Sequence, residues 1–135
     1  MTEGPTSMLG GRRILVVEDD YLIAADLVQS LQELGVVVIG PARSVADALA
    51  TVADETPIDA AVLDVNLGVE KVFPVAARLQ ELGLTFVFAT GYDQRIIPSA
   101  YASIPRFEKP VDICALAPIL SDKLGLARSV PAPTG

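Results

Sequence analysis

The chain has no histidine and a single cysteine, Cys114. It can therefore form no histidine-based triad, no structural zinc site and no internal disulfide. Any chemistry must run on carboxylates, hydroxyls and lysine. The candidate groups among them lie in four short stretches: Glu18-Asp19-Asp20, Asp64, Thr90-Gly91 and Lys109-Pro110. Carboxylates that converge repel one another unless a cation joins them, and a ligand set made only of oxygen favours a hard ion such as Mg2+. Lys109 adds another positive charge, and Thr90 adds a hydroxyl that both donates and accepts. A carboxylate beside Mg2+ and an ammonium is equipped to attack phosphorus. Asp64 would then become an acyl phosphate while the cations neutralise the transferring oxygens. A carboxylate is ionised at neutral pH, so this chemistry needs no histidine base.

Such residues act together only if the fold gathers them. Short apolar runs rich in β-branched residues occur at Ile14–Val17, Val36–Ile39, Ala60–Leu63 and Thr85–Ala89, with a weaker one at Ile104–Phe107. Four are unbroken rather than alternating, as strands covered on both faces are. Helical stripes lie between them. Ile23, Leu27, Leu31 and Leu34 share one face, with Asp20 as N-cap and Gly35 as a stop. Val45, Ala48, Leu49 and Val52 follow Ser44, a candidate N-cap. Val72, Val75, Ala76 and Leu79 form a third stripe, with Pro74 in its first turn and Gly83 past its end. Ile113, Leu116, Ala117, Leu120 and Leu124 form the last, capped by Asp112 and stopped at Gly125, and Pro118 is expected to bend or shorten it. The slot from Asp93 to Ser103 is short and broken by Pro98, so one or two ragged turns are expected there.

Five alternations of strand and helix predict an α/β fold, a doubly wound parallel sheet with right-handed crossovers. In such folds the site lies at the carboxyl ends of the strands. Glu18, Asp64, Thr90 and Lys109 each fall at or just beyond such an end, so one sheet edge is expected to carry them all.

Composition narrows the rest. The chain has 135 residues, 51% of them hydrophobic and 20% charged, which suits one folded domain rather than a disordered chain. A net charge of −7 and a pI near 4.4 argue against a nucleic-acid partner, and Arg12-Arg13 alone make no basic patch. No apolar run approaches the ~20 residues needed to span a bilayer, so no membrane partner is expected. The polar start lacks the order of a secretion signal, and the cytoplasm is the expected compartment. Residues 1–11 and 126–135, rich in glycine or proline, are expected to be flexible tails around a domain at 12–125.

Four motifs, taken together and in order, carry a family resemblance: Ile14-Leu15-Val16-Val17-Glu18-Asp19-Asp20, Ala61-Val62-Leu63-Asp64-Val65-Asn66-Leu67, Phe88-Ala89-Thr90-Gly91-Tyr92 and Phe107-Glu108-Lys109-Pro110. Across residues 12–124 the chain resembles a bacterial response-regulator receiver domain. The resemblance implies the flavodoxin-like strand order 2-1-3-4-5. It also implies Asp64 as phosphoacceptor, and Glu18 and Asp19 as the acidic pair for Mg2+, the second directly and the first through water. Asn66 would offer its backbone carbonyl to the metal. Thr90 and Lys109 would contact the phosphoryl group, and the Lys109–Pro110 bond would be cis.

The family's usual aromatic switch lies three positions before the lysine, where this chain has Arg106. The Phe88-Ala89-Thr90-Gly91 stretch resembles a receiver subfamily lacking that aromatic, with Tyr92 as a substitute candidate. After Asp64 the usual turn is altered to Gly68-Val69-Glu70. The implied function is that of a stand-alone receiver, a phosphoacceptor rather than an enzyme. It would be phosphorylated by a sensor histidine kinase or histidine phosphotransfer protein, and would signal by docking to a downstream protein or act as a phosphate sink. The alternative is a receiver-like binding module that signals without phosphorylation.

Overall fold

Alternate residues of the central strands point to opposite faces of one sheet. Each face carries its own layer of helices. The structure, a computed structural model, describes residues 9–54, 57–91 and 97–129. In chain order these form β1 (Arg13–Val17), α1 (Tyr21–Glu33), β2 (Val37–Ala42), α2 (Val45–Ala53), β3 (Ala60–Asp64), β4 (Asn66–Leu67), β5 (Glu70–Lys71), α3 (Phe73–Glu81), β6 (Thr85–Thr90), a 3-10 turn (Ser99–Tyr101), β7 (Arg106–Glu108) and α4 (Ile113–Ser129). The main sheet is parallel, in the order β2-β1-β3-β6-β7, while β4 and β5 form a separate antiparallel hairpin. Counting only the strands of the main sheet, this is the expected order 2-1-3-4-5.

Ile14, Val16, Ala60, Val62, Val87 and Ala89 face α1 and α4, where they meet Leu27, Leu31, Leu116, Ala117, Leu120 and Leu124. Leu15, Val17, Ala61, Leu63, Phe86 and Phe88 face the other way, towards α2, α3 and the 3-10 turn. Burial on both sides is why these strands lack polar alternation. The valine, leucine, isoleucine and phenylalanine side chains among them contribute roughly 1.5–3 kcal/mol each on full burial. The caps follow local chemistry. Asp20 accepts from the N–H groups of Leu22 and Ile23, Ser44 accepts from Asp47 N–H, and Gly35 (φ +82°) follows the end of α1 in the left-handed region.

Four expectations are corrected. The N-terminal tail does not extend through residue 11: Leu9 is fully buried in the α1–α4 layer, and Gly11 N–H donates to the Gly35 carbonyl at 2.8 Å. Residues 1–8 lie outside the described residues. The last helix does not stop at Gly125 but passes through it to Ser129, so a domain boundary at 125 would cut a helix. Pro118 does not shorten that helix. It sits on the exposed side, where water can satisfy the carbonyl it leaves unbonded, while Leu116, Ala117 and Leu120 anchor the buried side. Finally, the last strand begins at Arg106 rather than Ile104.

The expected ragged segment contains the 3-10 turn at Ser99–Tyr101, and its Tyr101 is buried. Tyr101 stacks on Phe73 (centroids 5.7 Å apart, planes 11° apart) and meets Phe86 and Phe88 edge-on. Residues 92–96, which include Tyr92 and the start of that segment, lie outside the described residues. The Lys109–Pro110 bond is cis as expected, and so is Gly40–Pro41.

Candidate phosphoacceptor site

Parallel pairing brings the strand ends level. Val17 pairs with Leu63, Asp64 with Ala89 and Thr90 with Glu108. The residues that follow therefore share one edge. Glu18, Asp64 and Thr90 are buried there, at 2%, 2% and 1% exposure. Glu18 N–H bonds to the Ala42 carbonyl, and Lys109 N–H to the Thr90 carbonyl, which ties the flanking loops to the sheet.

The side chains converge as the sequence implies. Lys109 Nζ lies 3.2 Å from Asp64 Oδ1 and 3.4 Å from Glu18 Oε1. Oxygens of Glu18, Asp19 and Asp64 lie within 4.8 Å of one another, an arrangement that can hold a cation. The other Glu18 oxygen accepts from Asp20 N–H at 3.0 Å, and Asn66 N–H donates to Asp64 Oδ1 at 3.3 Å. Asp64 Oδ2 and Thr90 Oγ1 are buried with no hydrogen-bond partner among the described residues. Both are costly to bury unpaired, and an arriving cation or anionic oxygen would satisfy them.

Electrostatics explains the tension in this cluster. Burial, and then a hydrogen bond shared with Asp64, push the Glu18 carboxyl up to about 7. Burial also raises Asp64, although the Glu18 hydrogen bond and Lys109 act against it. The two buried carboxyls thus both hold protons more tightly than they would in water. Burial alone would lower the Lys109 ammonium, but Asp64 and Glu18 outweigh it and hold the group above its usual value. A hard divalent ion would favour the charged carboxylates and relieve the repulsion, and the all-oxygen donor set suits one.

Solved structures of SdrG are similar to this chain. SdrG from Sphingomonas melonis Fr1 is 41% identical over 84% of this chain and 97% of its own, with a TM-score of 0.71. The BeF3-activated conformation of SdrG, from Pseudomonas melonis Fr1, is 42% identical over 83% of this chain and 95% of its own, with a TM-score of 0.70. A response regulator receiver domain (CheY-like) from Methylobacillus flagellatus is 26% identical over 84% and 98%, with a TM-score of 0.71. The chain belongs to the response-regulator receiver domains. No protein-family model and no curated protein matches the sequence.

Within this receiver domain, every described candidate except Asn66 has its side chain at the buried edge or its rim. Asn66 is exposed, and its side chain turns to Lys71, whose ammonium donates to Asn66 Oδ1. Arg106, at the position of the usual aromatic, is half-buried in β7 opposite Phe88.

Three residues near the site carry no sequence signal strong enough to single them out. Arg43 Nη2 donates to the Asp19 carbonyl at 3.3 Å, Glu70 Oε2 accepts from Val45 N–H at 3.0 Å, and Lys71 braces Asn66. Glu70 belongs to the altered turn after Asp64, which the structure resolves as the β4–β5 hairpin with Gly68 at φ +71°.

Proposed function

We propose that this receiver takes a phosphoryl group from the phosphohistidine of a sensor histidine kinase or histidine phosphotransfer protein onto Asp64. One observation carries the proposal: a buried Asp64 with one oxygen on Lys109 and the other without a partner among the described residues, beside two further carboxylates. Glu18 through water, Asp19, Asp64 and the Asn66 carbonyl would hold Mg2+. When bound, that ion supplies neutralising charge to the transferring oxygens.

The protein's own groups do the remainder. An Asp64 oxygen forms the new bond to phosphorus while the phosphorus–nitrogen bond of the donor breaks, its electron pair leaving with the imidazole nitrogen. Lys109 pairs with the phosphoryl oxygens, and the Thr90 hydroxyl, without a partner among the described residues, donates to one of them. Water later cleaves the acyl phosphate and restores Asp64. The domain is thus a phosphoacceptor that assists its own turnover rather than an enzyme. It works in the cytoplasm, signalling by docking to a downstream protein or serving as a phosphate sink. Among the described residues no helix is long and apolar enough to cross a membrane.

The test is intact-mass measurement after incubation with Mg2+ and acetyl phosphate. One added phosphoryl group, absent in Asp64→Asn, is the expected result. No gain under conditions where a known receiver gains one overturns the proposal. An Asp64→Asn protein that remains fully active in the cell would favour the phosphorylation-independent module instead.

A further inference from the structure

We infer that Glu70 is a positioning residue for the cation site, a clasp joining the two segments that flank Asp19. The inference rests on the phosphoacceptor reading above. One flank is the connection from β2 to α2, where Arg43 Nη2 donates to the Asp19 carbonyl and Arg43 N–H is held by Asp47 Oδ2 at 3.3 Å. The other flank is the β4–β5 hairpin. Its Gly68 is so close that an added Cβ would lie 3.5 Å from Asp19 Oδ2, and its Asn66 N–H reaches Asp64 Oδ1. Glu70 Oε2 links the two by accepting from the N–H of Val45, the first residue of α2.

The chemistry of that link is favourable. Val45 N–H is one of the helix donors that no intrahelical carbonyl can satisfy, and a carboxylate at a helix N-terminus gains from the helix dipole. The hydrogen bond is charge-assisted and part-buried. Lys71 braces the same hairpin from within by donating to Asn66 Oδ1. With the clasp closed, the loops around Asp19 and Asp64 are ordered before a cation arrives. With it open, binding must order them, and affinity falls.

Mg2+ titration of the unphosphorylated full chain by calorimetry tests this. Glu70→Ala is expected to weaken Mg2+ binding about 3- to 10-fold, less than the roughly 10- to 100-fold that follows loss of a group bonded directly to a ligand. Glu70→Gln, whose amide oxygen still accepts, should stay within about twofold of wild type. Val45→Pro deletes the donor at a position where proline is tolerated, after a residue already extended, and should match Glu70→Ala. The double variant should bind no more weakly than either single one. At saturating Mg2+ the phosphorylation rate of each variant should return to the wild-type value, a split that general loss of stability would not produce. Wild-type affinity in both Glu70→Ala and Val45→Pro overturns the clasp, as does a Glu70→Gln protein as weak as Glu70→Ala. A wild-type protein that binds no Mg2+ overturns the phosphoacceptor reading itself.

Discussion

The ammonium of Lys109 lies 3.2 Å from Asp64 Oδ1, brought there from the far end of the chain by the parallel pairing of β6 with β7. The contact is shielded, since Asp64 is 2% and Lys109 20% exposed at the side chain. Lys109→Met therefore removes a charge that little solvent can replace. Phosphorylation by acetyl phosphate is expected to slow about 100-fold. Stability should also fall by about 1–3 kcal/mol, because Glu18 and Asp64 lose their shared donor. Mass spectrometry against time and urea denaturation check the two halves.

Asp64→Asn acts in the opposite direction on stability. The variant should accept no phosphoryl group, yet in EDTA it should be more stable than wild type by about 1 kcal/mol, since one of three crowded carboxylates has lost its charge. A loss of stability in urea denaturation would contradict that account of the site.

The raised carboxyls give the protein a pH signature. Glu18 has a folded-state value of about 7 against an ordinary 4.5, and Asp64 is raised as well. Between these limits the folded protein binds more protons than the unfolded chain, so stability falls as pH rises from about 4.5 to about 7. Lys109, also raised, contributes stability that is lost only at alkaline pH, outside that window. Thermal melts in EDTA should show the decline, Glu18→Gln should flatten it, and Mg2+ should reduce it by favouring the charged carboxylates.

Thr90 separates chemistry from response. Its hydroxyl is buried without a partner among the described residues, so Thr90→Val loses no hydrogen bond and should be as stable as wild type or up to about 1 kcal/mol more so. Phosphoryl uptake at Asp64 should persist. The shift of amide resonances at Arg106–Glu108 on phosphorylation should shrink, since β7 is paired to β6 at Thr90. Unchanged shifts would remove Thr90 from the response.

The strands and the site edge were legible in the sequence for one physical reason. Burial on both faces leaves continuous apolar runs, and the first polar residue after three of them, Glu18, Asp64 and Thr90, marks the strand ends that gather at the site. The β4–β5 hairpin was not legible, because strands of two residues are too short to show any period. Glu70 and Lys71 there read as turn residues until their partners Val45 and Asn66 are seen in space. In α4 local signals oppose tertiary packing. Pro118 and Gly125 both argue for stopping, and the buried row from Leu116 to Leu124 carries the helix on. Leu9 reads as part of a tail because glycines follow it, though its side chain fills the core.

The ring cluster behind β6 has a practical use. The chain has no tryptophan and three tyrosines, and Tyr21 is 72% exposed while Tyr101 is packed among Phe73, Phe86 and Phe88. A chirally fixed phenol among phenylalanine rings gives near-ultraviolet circular dichroism that a solvated one does not. The molecule thus carries an unlabelled optical reporter one strand from its reactive aspartate, suited to following in real time whether that face rearranges when the signal arrives.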